Sequence, residues 1–441
     1  MADRRRSVDP ARMVAFEVLK AVRVDDAYTN LALPGLLRRY GLSGRDAAFA
    51  TELASGTIRW QGAYDAILAA CIDRPLAKVE AKVLDALRLG CHQLLGMRVA
   101  AHAAISTTVD LVRDRVSAGA AGFANAVLRK VSQQDLAAWV VQVAPGDLAV
   151  AWSHPAWVVE ELRLALGDDA QLPALLAADN EAPRVTLVAR PGRATREELP
   201  GEPTPFSPYG VTLAGGDPGQ VPAVAEGRAG VQDEGSQLVA VAAAGASVEG
   251  SDTRWLDLCA GPGGKAALLA ALAAQRGASL VASERQPHRA GLVRRSLTGA
   301  DGVAGVVTAD GTAPPYRAAA FDRVLVDAPC TGLGALRRRP EARWRRRPQD
   351  LAELVVLQRR LLDSALDLTR PGGIVLYATC SPVLAETREV VEAVLAERAD
   401  VALEPLDLTV PDAAGPLPGT VQLWPHRHGT DAMFLALLRR A

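Results

Sequence analysis

Apolar residues recur at helical spacing from Pro10 to about Val131, in sets such as Val14, Val18, Leu19 and Val22, then Leu84, Leu87, Leu94 and Leu95. Breakers at Gly41, Pro75 and Gly119 cut this stretch into short helices, and strand patterns are nearly absent, so residues 1–135 predict an all-α domain. Residues 136–250 differ. They are rich in Pro and Gly, with strands predicted at 184–188 and around 211–213, a helix near 154–166 and a turn-rich run at 215–222, which suggests a small mixed α+β connecting subdomain. From residue 251 to 441 short apolar strands, at 255–258, 279–282, 305–308, 323–326 and 373–377, alternate with helical stretches. That alternation predicts a parallel α/β sheet of Rossmann-like type, whose ligands bind beyond the carboxyl ends of the strands.

The 441-residue length fits such a multidomain chain. Apolar content of 49% and charged content of 22% exclude a disordered, collagen-like or disulfide-dense class. The formal net charge of −1 conceals a segregation: residues 1–130 sum to +6, 131–250 to −10 and 251–441 to +3. The ends therefore suit a polyanionic partner, and the middle alone repels one. Among the 49 basic residues only Lys20, Lys78, Lys82, Lys130 and Lys265 are lysines, a bias typical of an Arg-favouring genome. Arg4-Arg5-Arg6 precede no apolar segment, and the longest apolar run, Ala266 to Ala274, is too short to span a bilayer, so no membrane is expected and the cytoplasm is the expected compartment. Five cysteines without a C-x-x-C pair fit neither a disulfide framework nor a zinc site; no metal is expected, and those cysteines that matter should act as thiols.

Two sets of strand ends carry chemistry. The first strand runs into Asp257-Leu258-Cys259-Ala260-Gly261-Pro262-Gly263-Gly264-Lys265, where glycines permit a tight turn and a helix N-terminus directs amide groups at a ligand. Such a turn also serves as a plain strand-to-helix connection, but two carboxylates add to it. Glu284 ends the second strand, where it could accept ribose hydroxyls, and Asp310 follows the third, within reach of an adenine amino group. Lys265 is the only lysine after Lys130, which suggests a site needing a compact point charge. The fourth strand leads into Asp327-Ala328-Pro329-Cys330 and the fifth into Thr379-Cys380-Ser381, so two thiols and a carboxylate fall on one sheet edge. Cys71 and Cys91 fit the blander role of buried small hydrophobes, whereas Cys330 and Cys380 together suit nucleophilic chemistry.

The string from Leu256 to Lys265, together with Asp327-Ala328-Pro329-Cys330 and Thr379-Cys380-Ser381, resembles three motifs of the Sun/Fmu (Nop/Sun) RNA cytosine-5 methyltransferases. Arg45-Asp46, Thr51-Glu52-Leu53, Ala101-His102-Ala103-Ala104 and the run from Phe123 to Arg129 resemble the NusB-like RNA-binding domain of the bacterial 16S rRNA members. Ser153-His154-Pro155, the run from Gln232 to Gln237, and Pro425-His426 through Thr430-Asp431 extend the likeness over nearly the whole chain. The chain departs from the family pattern at Gly261, Glu284, Ala385-Glu386-Thr387 and Asp431-Ala432-Met433-Phe434, none of which removes a reactive group.

The resemblance implies S-adenosylmethionine as cofactor, held by Cys259, Ala260, Gly261, Pro262, Gly263, Gly264, Lys265, Glu284, Arg289, Asp310 and Asp327. It implies Cys380 as the thiolate that adds to cytosine C6, Cys330 as the residue assisting release, and Asp327 as the group holding the N3/N4 edge of the base. Bringing the base out of its stack costs roughly a few kcal/mol. Arg337, Arg338, Arg339, Arg343, Arg345, Arg346 and Arg347, with Trp344 among them, follow Cys330 and could offset this through phosphate contact and stacking; a solvated charge run is the alternative. The expected partner is 16S rRNA, bound by a monomer. A tRNA substrate, a dinucleotide oxidoreductase and a non-catalytic NusB-like RNA-binding or antitermination factor are the competing assignments, and the last two leave the thiol pair without a task.

Overall fold

The computed structural model of the chain describes residues 8–441, so Arg4-Arg5-Arg6 lie outside the described residues. The described residues form two compact units. The first comprises the chain up to Glu160, with Ala170–Ala182 and Leu336–Arg345; the second comprises Glu161–Asp169, Pro183–Ala335 and Arg346–Ala441. The stretch 136–250, expected as a subdomain of its own, is divided between them, because its N-terminal helices join the helical core and its strands join the sheet-bearing unit.

The first unit is helical, beginning with Pro10–Val24, Thr29–Arg39, Gly44–Arg59 and Gln61–Cys71. Ala81–Cys91, Ala101–Arg115 and Ala118–Val131 follow. Pro10 sits in the first turn, where its missing N–H is not needed, and Asp9 accepts from the amides of Ala11 and Arg12. The apolar stripes of these helices meet in one core that contains Val14, Val18, Leu53, Leu87 and Leu128, and Cys71 and Cys91 are buried in it.

In the second unit a small antiparallel sheet has the order β2-β3-β1-β4, formed by β1 (Thr186–Ala189), β2 (Glu202–Pro203), β3 (Gly210–Thr212) and β4 (Ala229–Val231). The run from Gln232 to Gln237 ties this sheet to the helix Glu234–Gly245. Glu234 accepts the amides of Phe206 and Ser207, and Gln237 donates to the Leu187 carbonyl.

The main sheet contains β5 (Arg254–Asp257), β6 (Ser279–Glu284), β7 (Val303–Thr308), β8 (Phe321–Asp327) and β9 (Thr369–Thr379), all parallel, and then β10 (Val401–Glu404), β11 (Val421–Gln422) and β12 (Phe434–Arg440). Its order is β10-β12-β9-β8-β5-β6-β7, with β12 antiparallel to β9 and β10. Alternate residues face opposite sides: Trp255, Leu325, Leu376 and Leu435 pack with the helices Glu234–Gly245 and Gly264–Gln275, and Leu256, Val324, Val375 and Phe434 pack with Pro348–Leu368 and Arg388–Glu397. All five strands predicted for this part are present. β10, β11 and β12 are additions, and β12 carries no alternation because both of its faces are covered.

Candidate active site

Successive crossovers lead from β5 outward to β6 and β7 on one side, whereas β8 and β9 lie on the other. The strand order thus reverses between β5 and β8, and their carboxyl ends open the crevice where ligands of such sheets bind. After β5 the turn places Gly261 at φ 58° and Gly263 at φ 96°. A Cβ on Gly263 would lie 2.9 Å from Ser296 Cβ and 3.0 Å from Val293 Cα, so only glycine lets the helix Gly264–Gln275 start there. Arg289 is exposed, and its guanidinium lies against Gly261. Glu284 is buried at the end of β6 and accepts the Gln286 amide, while Asp310 stays half exposed, accepting from the amide and hydroxyl of Thr312.

Lys265 does not face solvent. Its Nζ donates to Asp327 Oδ2 at 2.8 Å, linking the glycine turn to the end of β8. Burial works against the ammonium, but the charge and hydrogen bond of Asp327, with Cys380 and Asp257 adding, raise its pKa. Asp257 is fully buried, accepts the Cys259 amide on Oδ1, and leaves Oδ2 without a hydrogen-bond partner. Burial, with Asp327 reinforcing it and Lys265 opposing, pushes its pKa up to about 7. Folding therefore takes up a proton near neutrality. The resulting stability is present in full below the usual carboxylate range and is lost as pH rises through about 7. We predict that the urea midpoints of the native protein and Asp257→Asn, followed from pH 5 to 8, will diverge. The native protein should lose up to about 1.4 kcal/mol per pH unit relative to the variant, whereas parallel profiles would refute the buried titration.

The two thiols come together. Cys330 Sγ and Cys380 Sγ lie 3.4 Å apart, Cys330 buried and Cys380 partly exposed. Pairing of Asp327 with Ala378 in the β8–β9 register, with Ala328 donating to the Ala378 carbonyl and Gly334 to that of Cys380, fixes the two loops side by side. The hydrogen bond to Cys380, then burial, with Cys380, Glu386 and Asp327 adding, pushes the Cys330 thiol well up. Cys259 is likewise raised, by burial and by the surrounding carboxylates, which leaves it a poor nucleophile. Sequence reasoning missed Glu386 and Gln358, which hydrogen-bond around Cys330; Glu386 stood out only as part of a string that departs from the family pattern.

The arginine run needs correction. Arg337 and Arg343 are buried in the helical unit rather than presented to solvent. Arg343 donates to the carbonyls of Ser153 and Asp179 and to Asn180 Oδ1, and Trp344 Nε1 donates to the Ile58 carbonyl. Arg345 donates to the Ala27 carbonyl, and both it and Arg339 lie over the Tyr28 ring. Arg346 instead reaches the carbonyls of Cys330 and Thr331, Arg338 is half-buried, and Arg347 is exposed. Backbone carbonyls that need donors claim cations that the sequence pattern offers to phosphate. Replacing Arg343 by alanine should cost about 3–5 kcal/mol, since it strips several buried acceptors at once. An earlier urea transition would report this loss, and an unchanged one would return Arg343 to a surface role.

Among the described residues no cluster of side chains suited to a metal occurs, and no helix is long and apolar enough to cross a membrane.

Residues 247–439 match the family described as 16S rRNA methyltransferase RsmB/F, and residues 9–133 match the NusB family. A putative methyltransferase of Mycobacterium tuberculosis is 52% identical over 99% of this chain and 98% of its own length. A probable ribosomal RNA small subunit methyltransferase B of Synechocystis is 31% identical over 98% and 99%. The ribosomal RNA small subunit methyltransferase B of Pseudomonas syringae is 33% identical over 97% and 96%. Among solved structures, PH0851 superposes with a TM-score of 0.82 at 23% identity over 98% of this chain and 99% of its own, and NSun6 from Pyrococcus horikoshii, solved with SFG, gives 0.55 at 17% over 65% and 98%. The likeness to these relatives runs from end to end, through both the helical part and the thiol-bearing sheet, and the chain therefore belongs to the RsmB/F family of 16S rRNA methyltransferases.

Proposed function

We propose that the protein methylates C5 of a cytidine in 16S rRNA, with S-adenosylmethionine as donor and Cys380 as a covalent nucleophile. The pair of thiols 3.4 Å apart beside Asp327 carries this reading, because covalent activation of a pyrimidine needs one thiol to add to the ring and a neighbouring group to assist its release, whereas a purely RNA-binding factor leaves both idle. S-adenosylmethionine, when bound, supplies an electrophilic methyl group. The residues that would hold it fit: the Gly261–Gly263 turn exposes backbone at a helix N-terminus, Glu284 ends β6, and Asp310 and Arg289 stand at the outer rim. NSun6, which was solved with SFG, shares the fold over 65% of this chain.

Cytosine C5 is a weak nucleophile, and thiolate addition activates it. The Cys380 Sγ–C6 bond forms, the displaced electron pair passes toward the N3 side of the ring, and C5 becomes enamine-like. Asp327 would accept from the cytosine N4 amino group and so orient the ring, and Lys265 holds Asp327 by its hydrogen bond while its ammonium favours an anionic Cys380 nearby. Once C5 has taken the methyl group, its proton passes to water, the electron pair returns to form the C5–C6 double bond, and Cys380 departs as thiolate. Cys330, kept protonated by its surroundings, assists this release. Of the arginine run, Arg338, Arg339 and Arg347 keep exposure that suits phosphate contact, as the helical NusB-family part also does. The cytoplasm and a monomeric state complete the reading. Labelled methyl transfer to unmodified 16S rRNA and to tRNA, with the product nucleoside identified, tests it; transfer to tRNA alone would favour the second substrate.

A further inference from the structure

Glu386 is fully buried, in the short turn Leu384–Glu386 that precedes the helix Arg388–Glu397. No cation pairs with it among the described residues; its partners are neutral donors. Oε1 accepts from the Thr331 amide at 2.7 Å and from Gln358 Nε2 at 3.0 Å, and Oε2 accepts from the Thr331 hydroxyl at 2.5 Å. Gln358 comes from the helix Pro348–Leu368 and spends its other amide proton on the Pro329 carbonyl at 2.9 Å. The peptide groups on both sides of Cys330 are thus held by one Glu–Gln pair.

The second thiol is tied to the same carboxylate. The Thr331 hydroxyl donates to Glu386, which spends its one proton, so the Ser381 hydroxyl, 3.1 Å from Thr331 Oγ1, is the donor to Thr331. Ser381 follows Cys380 and in turn accepts from the Val383 amide. Tyr377, inside β9, donates to the Glu386 carbonyl at 2.8 Å, anchoring the turn to the sheet. One directed chain therefore runs from the residue after Cys380 to the residue after Cys330 and ends on Glu386. A carboxylate buried without a cation is costly, and an apolar side chain would fill the space more cheaply. What the carboxylate adds is direction, since its donors converge at fixed angles.

We propose that Glu386 is a positioning residue that sets Cys330 against Cys380 for the release step, a proposal resting on the release role assigned above to Cys330. The same charge also adds to the push that keeps Cys330 protonated.

The test compares Glu386→Ala, Glu386→Gln, Thr331→Val and Cys330→Ala in the full-length protein, with methyl-labelled S-adenosylmethionine and 16S rRNA. Misplacing a reacting group by about 1 Å can cost ~10²-fold, so Glu386→Ala should lower kcat by about that factor with KM for RNA within about twofold. It should also retain a denaturation-stable protein–RNA adduct, as Cys330→Ala does. Glu386→Gln supplies an acceptor for Thr331 and Gln358 and should recover about tenfold of the loss, worth about 1.4 kcal/mol. Thr331→Val cuts the chain while the Thr331 amide and Gln358 still hold Glu386 Oε1, and should retain adduct even where Glu386→Ala does not fold. Folded variants that lose turnover without adduct, while Cys330→Ala accumulates it, would overturn the proposal, as would a Gln variant no better than Ala. Absence of adduct in Cys330→Ala would instead sink the release role of Cys330, and the Gln-over-Ala recovery at unchanged KM would still decide whether Glu386 positions the pair.

Discussion

Alanine at position 380 is expected to abolish methyl transfer, lowering turnover by roughly four orders of magnitude or more, as loss of a covalent nucleophile does elsewhere. Two features single out Cys380 over its neighbour. It is the more exposed thiol, and the Lys265 ammonium lies where it favours an anionic sulfur, whereas Cys330 is buried with Glu386 and Asp327 nearby. Binding of S-adenosylmethionine to Cys380→Ala should be unchanged, because that side chain lies at the end of β9 and the glycine turn at the end of β5. Both are measurable on one preparation, by equilibrium dialysis and by label incorporation. An active Cys380→Ala protein would transfer the nucleophile's role to Cys330.

Removal of Cys330 should produce the opposite signature. Methyl addition in a single turnover stays within a few-fold of normal, while multiple turnover falls by roughly 10²–10⁴-fold, the range that a positioned proton-transfer group supplies. The enzyme then remains attached to methylated RNA as a species that survives denaturing electrophoresis. The 3.4 Å separation supports this, since a group in contact with the attacking sulfur can deliver or remove a proton during departure. Cys330→Ala that turns over normally and leaves no adduct would reduce the pair to a packing contact.

Much of this site was legible in the sequence because strand ends are where an α/β sheet keeps its chemistry. Asp257 to Lys265, Glu284, Asp310, Asp327, Cys330 and Cys380 all follow short apolar strands, and the pattern located those strands within a few residues. The lone lysine was legible as a special charge, but its partner was not: only the fold brings β8 beside β5 and sets Asp327 against Lys265. β12 escaped because a strand covered on both faces looks like any apolar run. The arginines of 337–347 misled for a physical reason, since a cation is attracted equally by phosphate and by buried carbonyls, and sequence does not say which acceptor the chain folds against. Glu386 showed in the sequence only as part of a string that departs from the family pattern, and its role was not legible because its donors come from three separate elements.

Methylation of cytidine C5 in 16S rRNA is tested most directly by mass spectrometry of nucleosides from unmodified 16S rRNA incubated with the protein and methyl-labelled S-adenosylmethionine. The thiol pair predicts label in 5-methylcytidine that is absent with Cys380→Ala. Label recovered in any other nucleoside, or 5-methylcytidine formed undiminished by Cys380→Ala, would contradict it.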